Sequence, residues 1–219
     1  MKRTVVSLLL IFCHYLFLRI KASKNNSLLF GKGLIIWKSK IKVLGKHNKL
    51  VFGKSVNLKN TIISIKGNNN RISISDEVKI YEYCMLLIEG DNCEIKIGAK
   101  STVGSGHIFC GESNTKIHIG ENCMLSRKVF MNTSDFHSIL DATNHKRINP
   151  PQDIFIDDHV WIGFNTTINK GAILKKNSIV ASRSLVGGKS YPPNVILAGI
   201  PSKVIKENIT WSREKLPFN

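Results

Sequence analysis

Between Asn132 and Pro151 the chain gathers two histidines, His137 and His145, two aspartates, Asp135 and Asp141, and the cations Lys146 and Arg147, in a stretch rich in turn-forming residues. This mix suits acid-base chemistry. A hydroxyl is a poor nucleophile until a base takes its proton, and imidazole titrates close to neutral pH. Residue type alone leaves both histidines open as that base. Asp135 or Asp141 could orient an imidazole and stabilise its cation, or could equally serve as turn formers through Asx bonds.

The elements that must carry this stretch are written in the spacing of aliphatic residues. Ile156, Ile162, Ile168, Leu174, Val180 and Val186 stand six apart, a period that neither a helix nor a plain strand requires. A chain turning a corner every six residues is a left-handed parallel β-helix, an all-β solenoid in which three short strands make one triangular coil. A second repeat lies upstream: GKHNKLVFG, GNNNRISIS, GDNCEIKIG and ESNTKIHIG end at Gly53, Ser75, Gly98 and Gly120, at spacings of 22, 23 and 22. The pairs Leu50/Phe52, Ile72/Ile74, Ile95/Ile97 and Ile117/Ile119 recur in register within it. Because a triangular coil consumes about 18 residues, the longer period reads as one coil plus a few residues bulging from a corner. The Gly, Asn and Asp residues that open each repeat suit corners that need left-handed backbone. From Gly120 to the next equivalent position, Asp157, the spacing is 37. About 15 extra residues therefore leave the coil at the histidine-bearing stretch, and long solenoid loops are usually functional. Trp161 precedes Ile162 and points outward if Ile162 points inward; an outward Trp on a prism wall needs an interface or a ligand to cover it.

At 219 residues, 42% hydrophobic and 8% aromatic, the chain has room for one domain with a real core. Its five cysteines form no CxxC pair, so neither a disulfide framework nor a zinc knuckle is indicated; Cys93 and Cys123 read as structural thiols near corners, in a reducing, cytoplasmic setting. The net charge of +17 is uneven: residues 1 to 75 hold 15 Lys/Arg and no Asp or Glu, whereas residues 76 to 219 hold 17 basic and 15 acidic residues. Residues 4 to 18 form an apolar run between Lys2, Arg3, Arg19 and Lys21, shorter than a typical spanning helix. It suits an interfacial helix, a cap on the solenoid end, or a cleaved signal whose small-residue site Ala22-Ser23 is crowded by Lys21 and Lys24. Such a segment attracts an anionic lipid surface, giving peripheral contact at the inner face of the cell membrane through residues 1–24. No helix-turn-helix, zinc-finger or RNP pattern points to nucleic acid. The expected organisation is an N-terminal segment over 1–24, a β-helix over 25–190 with a loop insertion at 132–151, and a C-terminal tail over 191–219.

SDFHSI, RIN, DIFIDDHVWIGFNTTINKGAILKKNSIVASRSLV and VILAGIPSKVIKEN together resemble the hexapeptide-repeat acyltransferases over roughly residues 43 to 211. GNNNRISISDEV, IGENCMLS, HVWIG and IKENITW resemble, within them, the capsular polysaccharide O-acetyltransferases that modify sialic acid polymers. The resemblance implies a homotrimer with acetyl-CoA in the groove between subunits, no metal, and transfer of acetyl to a sugar hydroxyl of a bacterial surface polysaccharide. It places the base at His137, since His145 lacks the matching surroundings, and places Trp161 at the acyl site with its indole NH toward the thioester oxyanion. It also assigns Lys170, Ser182 and Lys203 to CoA, with Lys189 an additional cation and Phe164 standing where some members have a cationic residue. A small-molecule acetyltransferase differs only in its acceptor pocket, and an inactive solenoid scaffold would bind no acetyl-CoA. The γ-type carbonic anhydrases share the fold, but His107, His118 and His159 lack the needed spacing with His137 for a zinc site.

Overall fold

Each inward-pointing aliphatic residue marks one side of a triangle, and stacking those triangles builds the molecule. A computed structural model describes residues 18–218 as a left-handed parallel β-helix with three faces. Sheets of eight, eight and nine strands start at Arg19–Ala22, Ser27–Phe30 and Ile35–Trp37, here the first, second and third sheets. Successive members of the six-residue ladder fall on different sheets in rotation, and Ile156 pairs with Leu174, Ile162 with Val180 and Ile168 with Val186. All six are buried. The upstream repeat keeps its expected register, with Leu50, Ile72, Ile95, Ile117 and Ile154 in one column of the second sheet.

The extra residues of the upstream coils do not bulge from a corner. They lengthen the sides: first-sheet strands there reach six residues, as in Cys84–Glu89, against two in Thr167–Ile168, and second-sheet strands have four residues, as in Glu94–Ile97, against two in Ile173–Leu174. Cys84, Leu86 and Ile88 all point into the core where the narrow coil contributes Ile168 alone. The solenoid is therefore wide in its first half and narrow in its second. Strict six-residue spacing belongs to the narrow half.

The corner between the first and second sheets is held by a buried amide ladder. Asn70 N donates to Asn48 Oδ1 at 2.9 Å and Cys93 N to Asn70 Oδ1 at 2.8 Å, while each Asn Nδ2 caps a glycine carbonyl, Gly67 O or Gly90 O. Gly67 is at φ 119°, and a Cβ there would sit 2.0 Å from Gly90 O. Burial raises the thiols of Cys84, to about 12, and Cys123, to about 11, in keeping with structural cysteines.

Two expected boundaries move. Residues 1–17, most of the apolar run, lie outside the described residues, but Arg19–Ala22 is already a solenoid strand paired with Lys40–Val43, so the β-helix starts upstream of residue 25. At the other end Leu197 is buried and paired with Val180, so the last coil passes residue 190 before Ser202–Lys206 folds back antiparallel on Ile196–Gly199. Among the described residues no helix is long and apolar enough to cross a membrane.

Candidate active site

Residues 133 to 153 leave the prism at the edge between the first and second sheets, after Val129–Asn132 and before Ile154–Ile156. They double back as a small hairpin: Leu140 bridges Arg147 antiparallel, and Ile148 N donates to Ile139 O at 2.9 Å. The tip is an Asx turn in which the Asp141 carboxylate accepts from the Thr143 hydroxyl and from the Thr143 and Asn144 amides at 2.8 and 3.1 Å. Those bonds, the Thr143 hydroxyl foremost, hold the Asp141 carboxyl below its usual range. Asp141 is therefore a turn former, not an orienter of His137.

The Phe136 ring lies 5.0 Å from that of Phe109, but Phe136, Ile139, Leu140 and Ile148 are each about half exposed, so apolar packing alone does not hold this hairpin. Two ion pairs do. Arg147 meets Glu112 of the underlying wide coil through two parallel bonds of 2.6 and 2.7 Å, and the Ser134 hydroxyl also donates to Glu112. Arg147, and after it Ser134, pulls the Glu112 carboxyl down to about 2, and the same pair raises Arg147. Lys170, from the next coil, donates to Asp135 and to the carbonyls of Pro150 and Asn149 at 3.0 and 3.3 Å. It lowers the Asp135 carboxyl, with Asn149 adding to the effect. Between the clamps lies Asn149, 8% exposed. Its Oδ1 accepts from Ile139 N at 2.7 Å and Arg147 Nε at 3.2 Å, and its Nδ2 donates to Asp135 Oδ2 and to the His137 carbonyl, both at 2.8 Å.

His137 is thus fixed through its backbone, since its amide also donates to Asp135 O at 2.8 Å. Its imidazole is exposed, and among the described residues nothing hydrogen-bonds it. A base must present a free nitrogen on a held backbone, and His137 does so. His145 lies exposed at the turn, where its amide completes the tip.

The other expected site residues divide between two edges of the prism. Phe164 and Ser182 stack in successive coils at the edge between the third and first sheets, with Phe164 N donating to Ser182 Oγ at 3.2 Å. Beside Phe164 opens a groove of about 510 Å³ lined by Tyr83, His107, Arg127, Lys128 and Phe130. Lys128 Nζ stands 5.7 Å from the Phe164 ring centre, so a preceding coil brings a cation to the place where Phe164 lacks one. Lys203 is exposed on Ser202–Lys206, the terminal strand of the third sheet. Lys170 and Lys189 lie instead at the first-to-second edge; Lys189 covers the Tyr191 ring at 5.2 Å, and all three Lys170 donors serve the hairpin. In this chain Lys170 clamps the loop.

Trp161 does point outward, on the third sheet, and part of its cover comes from the chain's own C-terminal segment. Trp211 lies 6.0 Å from it, stacks on His159 at 4.3 Å and donates through Nε1 to His159 O at 2.8 Å. The segment is pinned above by Asn194 to Ile209 O at 2.9 Å, and below by Arg213 to Thr102 Oγ1 at 3.0 Å and Cys123 O at 2.8 Å. The Trp161 Nε1 is buried without a hydrogen-bond partner among the described residues.

No protein-family model matches the chain. Its fold is similar to that of the crystallographically described polysialic acid O-acetyltransferase OatWY, with a TM-score of 0.81 and 32% identity over 91% of this chain and 92% of that one. The chain belongs to the hexapeptide-repeat O-acetyltransferase family. The polysialic acid specific acetyltransferase NeuO is also similar, with a TM-score of 0.74 and 30% identity over 90% of each chain. A polysialic acid O-acetyltransferase of Neisseria meningitidis is 34% identical over 123 residues, a stretch covering 56% of this chain and 57% of that protein. In this O-acetyltransferase-family chain, sequence reasoning missed Glu112, Ser134, Asn149, Lys128, Trp211 and Arg213 as parts of the site's frame. Only Ser134, in SDFHSI, Asn149, in RIN, and Trp211, in IKENITW, carried a signal, as letters of resembling motifs without a role.

Proposed function

We propose that the chain transfers acetyl from acetyl-CoA to a hydroxyl of an acidic bacterial surface polysaccharide, with His137 as the base. The observation that carries this reading is a free, exposed imidazole on a doubly clamped hairpin, in a chain similar over 91 and 90% of its length to two acetyltransferases named for polysialic acid. His137 takes the proton of the sugar hydroxyl as its oxygen attacks the thioester carbonyl. The tetrahedral intermediate then expels the CoA thiolate, which recovers that proton from His137. Direct transfer in a ternary complex needs no serine or cysteine nucleophile, and holding both substrates in one groove supplies the orientation.

His137 stands at one edge of the prism, and Trp161, Phe164 and Ser182 stand on or beside the third sheet. A groove between two copies would bring those sets together, and the half-exposed Phe136, Ile139, Leu140 and Ile148 on the hairpin offer apolar surface for such a contact. This supports a homotrimer in which one subunit lends His137 to the donor site of the next. At that site Ser182, Lys203, Lys128 and the Phe164 ring would hold CoA, and Lys189 would add a cation from the other edge. The unspent Trp161 N–H is a fitting partner for the thioester oxygen, because an unmade bond at a buried donor costs about 1–3 kcal/mol that the developing oxyanion would recover. Small displacement of Trp211 would open that path.

The test incubates the purified chain and acetyl-CoA with acidic and neutral polysaccharides and follows thiol release. Turnover on acidic polymers, lost by at least about 100-fold in His137→Ala, is expected. Full activity in that variant would remove His137 as base, and turnover on small acceptors alone would replace the polymer with a small-molecule substrate.

A further inference from the structure

The first coils carry their cations in a way the rest of the solenoid avoids. Arg19 pairs in register with Lys40 and Lys21 with Lys42 on the first sheet, and Lys49 pairs with Arg71 on the second. At the corners Lys24 and Lys46, and Lys32 and Lys54, hold equivalent places in successive coils, as the bonds from His47 N to Asn25 O and from Ser55 N to Lys32 O fix. All ten side chains are exposed. Neighbouring strands lie about 4.8 Å apart, so these like charges stand close, and like charges directly opposite repel. Farther along the prism the pattern reverses: Lys66 pairs with Glu89, Arg71 reaches Glu94 at 3.7 Å, Arg127 reaches Glu82 at 3.8 Å and Lys175 reaches Asp157 at 3.6 Å. Acidic partners begin only where residue 76 begins.

Arg71 apart, which Glu94 partners, these cations are unneutralised, and they do not form a stripe along one face. They occupy two sheets and two corners around the perimeter of one end. That end is also greasy: Ile20, Leu29, Phe30 and Ile35, all in the first coil, are 45, 50, 39 and 47% exposed. The described chain enters this coil at Leu18, the last residue of the apolar run that begins at Val5 between basic flanks. A polysaccharide strand would be met by cations in line along one wall. A ring of cations around an apolar end fits a flat anionic surface met end-on.

We propose that the first coils of the solenoid, residues 18 to 54, dock end-on against an anionic lipid bilayer, with the apolar side chains of the first coil at the headgroup boundary. Each Lys or Arg within a Debye length of such a surface raises binding about fivefold, and the repulsion stored between stacked cations is relieved as lipid phosphates screen them. The inference stands apart from the catalytic reading, since none of these residues belongs to the site.

The full chain is sedimented with phosphatidylcholine vesicles, with and without about one-third phosphatidylglycerol, at about 0.1 M and about 0.5 M salt. Binding only to the anionic vesicles, lost in the higher salt, is expected. In a variant carrying Lys40→Gln, Lys42→Gln, Lys46→Gln and Lys49→Gln the partition should fall at least about tenfold. Its melting temperature should not fall, since relief of the like-charge repulsion can only raise it, and acetyl-CoA binding should be unchanged, as these side chains are exposed and none belongs to the site. Equal binding by the variant, or no binding to anionic vesicles by the parent, would overturn the proposal. So would binding of a soluble acidic polysaccharide that the variant loses while vesicles stay unbound.

Discussion

Asn149 spends all its hydrogen-bonding groups inside the hairpin, and one of them points at the carbonyl of the proposed base. An amide is needed, because the site calls for an acceptor toward Ile139 N and Arg147 and a donor toward Asp135 and His137 O at once. We expect Asn149→Ala to lower kcat by about 10- to 100-fold with little change in the KM for acetyl-CoA, since displacing a reacting group by an ångström costs that much. Asn149→Asp keeps the acceptor, loses both donations and sets a second charge beside Asp135, so it should be no better than Ala. The deciding measurement is the cycle with His137→Ala: if Asn149 acts by positioning His137, the double variant is no slower than His137→Ala alone. Additive losses would show a wider structural role. The residue types of the loop were legible as proton-transfer chemistry, but His137 could be separated from His145 only by family resemblance, because both rings are exposed histidines in a polar loop.

At the scale of elements the hairpin is a polar device. Its existence was legible, because the column of the second sheet skips 37 residues between Ile117 and Ile154. Its fastening was not: Glu112 is 35 residues from Arg147, and only coil register sets it underneath. The clamp at Lys170 was hidden in the same way, because its partner Asp135 lies 35 residues away. Both clamp carboxyls have folded pKa values below their ordinary ones, so their stabilisation is complete above the usual carboxyl range near 4 and lost as pH falls toward about 2 for Glu112. Amide exchange in the hairpin, corrected for its intrinsic pH dependence, should therefore be flat from about pH 5 to 8. Glu112→Gln should raise it on the order of tenfold at all those pH values. A parent hairpin that loosens between pH 8 and 5 would mean the clamps are not what hold it.

The whole molecule is two prisms of different width on one axis. The narrow one was legible residue by residue, because one inward side chain per side leaves no freedom in spacing. The wide one was legible as a repeat but misjudged in shape, since a sequence period counts residues per turn and does not say whether they lengthen a side or swell a corner. The C-terminal segment was the least legible part, as its hold depends on which corner residues of four coils line up beneath it. In a solenoid each coil touches only its neighbours, so stability is close to a chain of nearest-neighbour terms and can break at any weak link. The narrow coils, with fewer inward residues, are the weak half. Arg213 reaches back past them to Asn122, Cys123 and Thr102 while Trp211 holds the same segment to His159, and so they add terms between coils that are not neighbours. The consequence is cooperativity: a chain ending at Asn208 should melt in two steps, narrow half first, where the parent melts in one. A single calorimetric transition in the shortened chain would show that the coils alone hold the halves together.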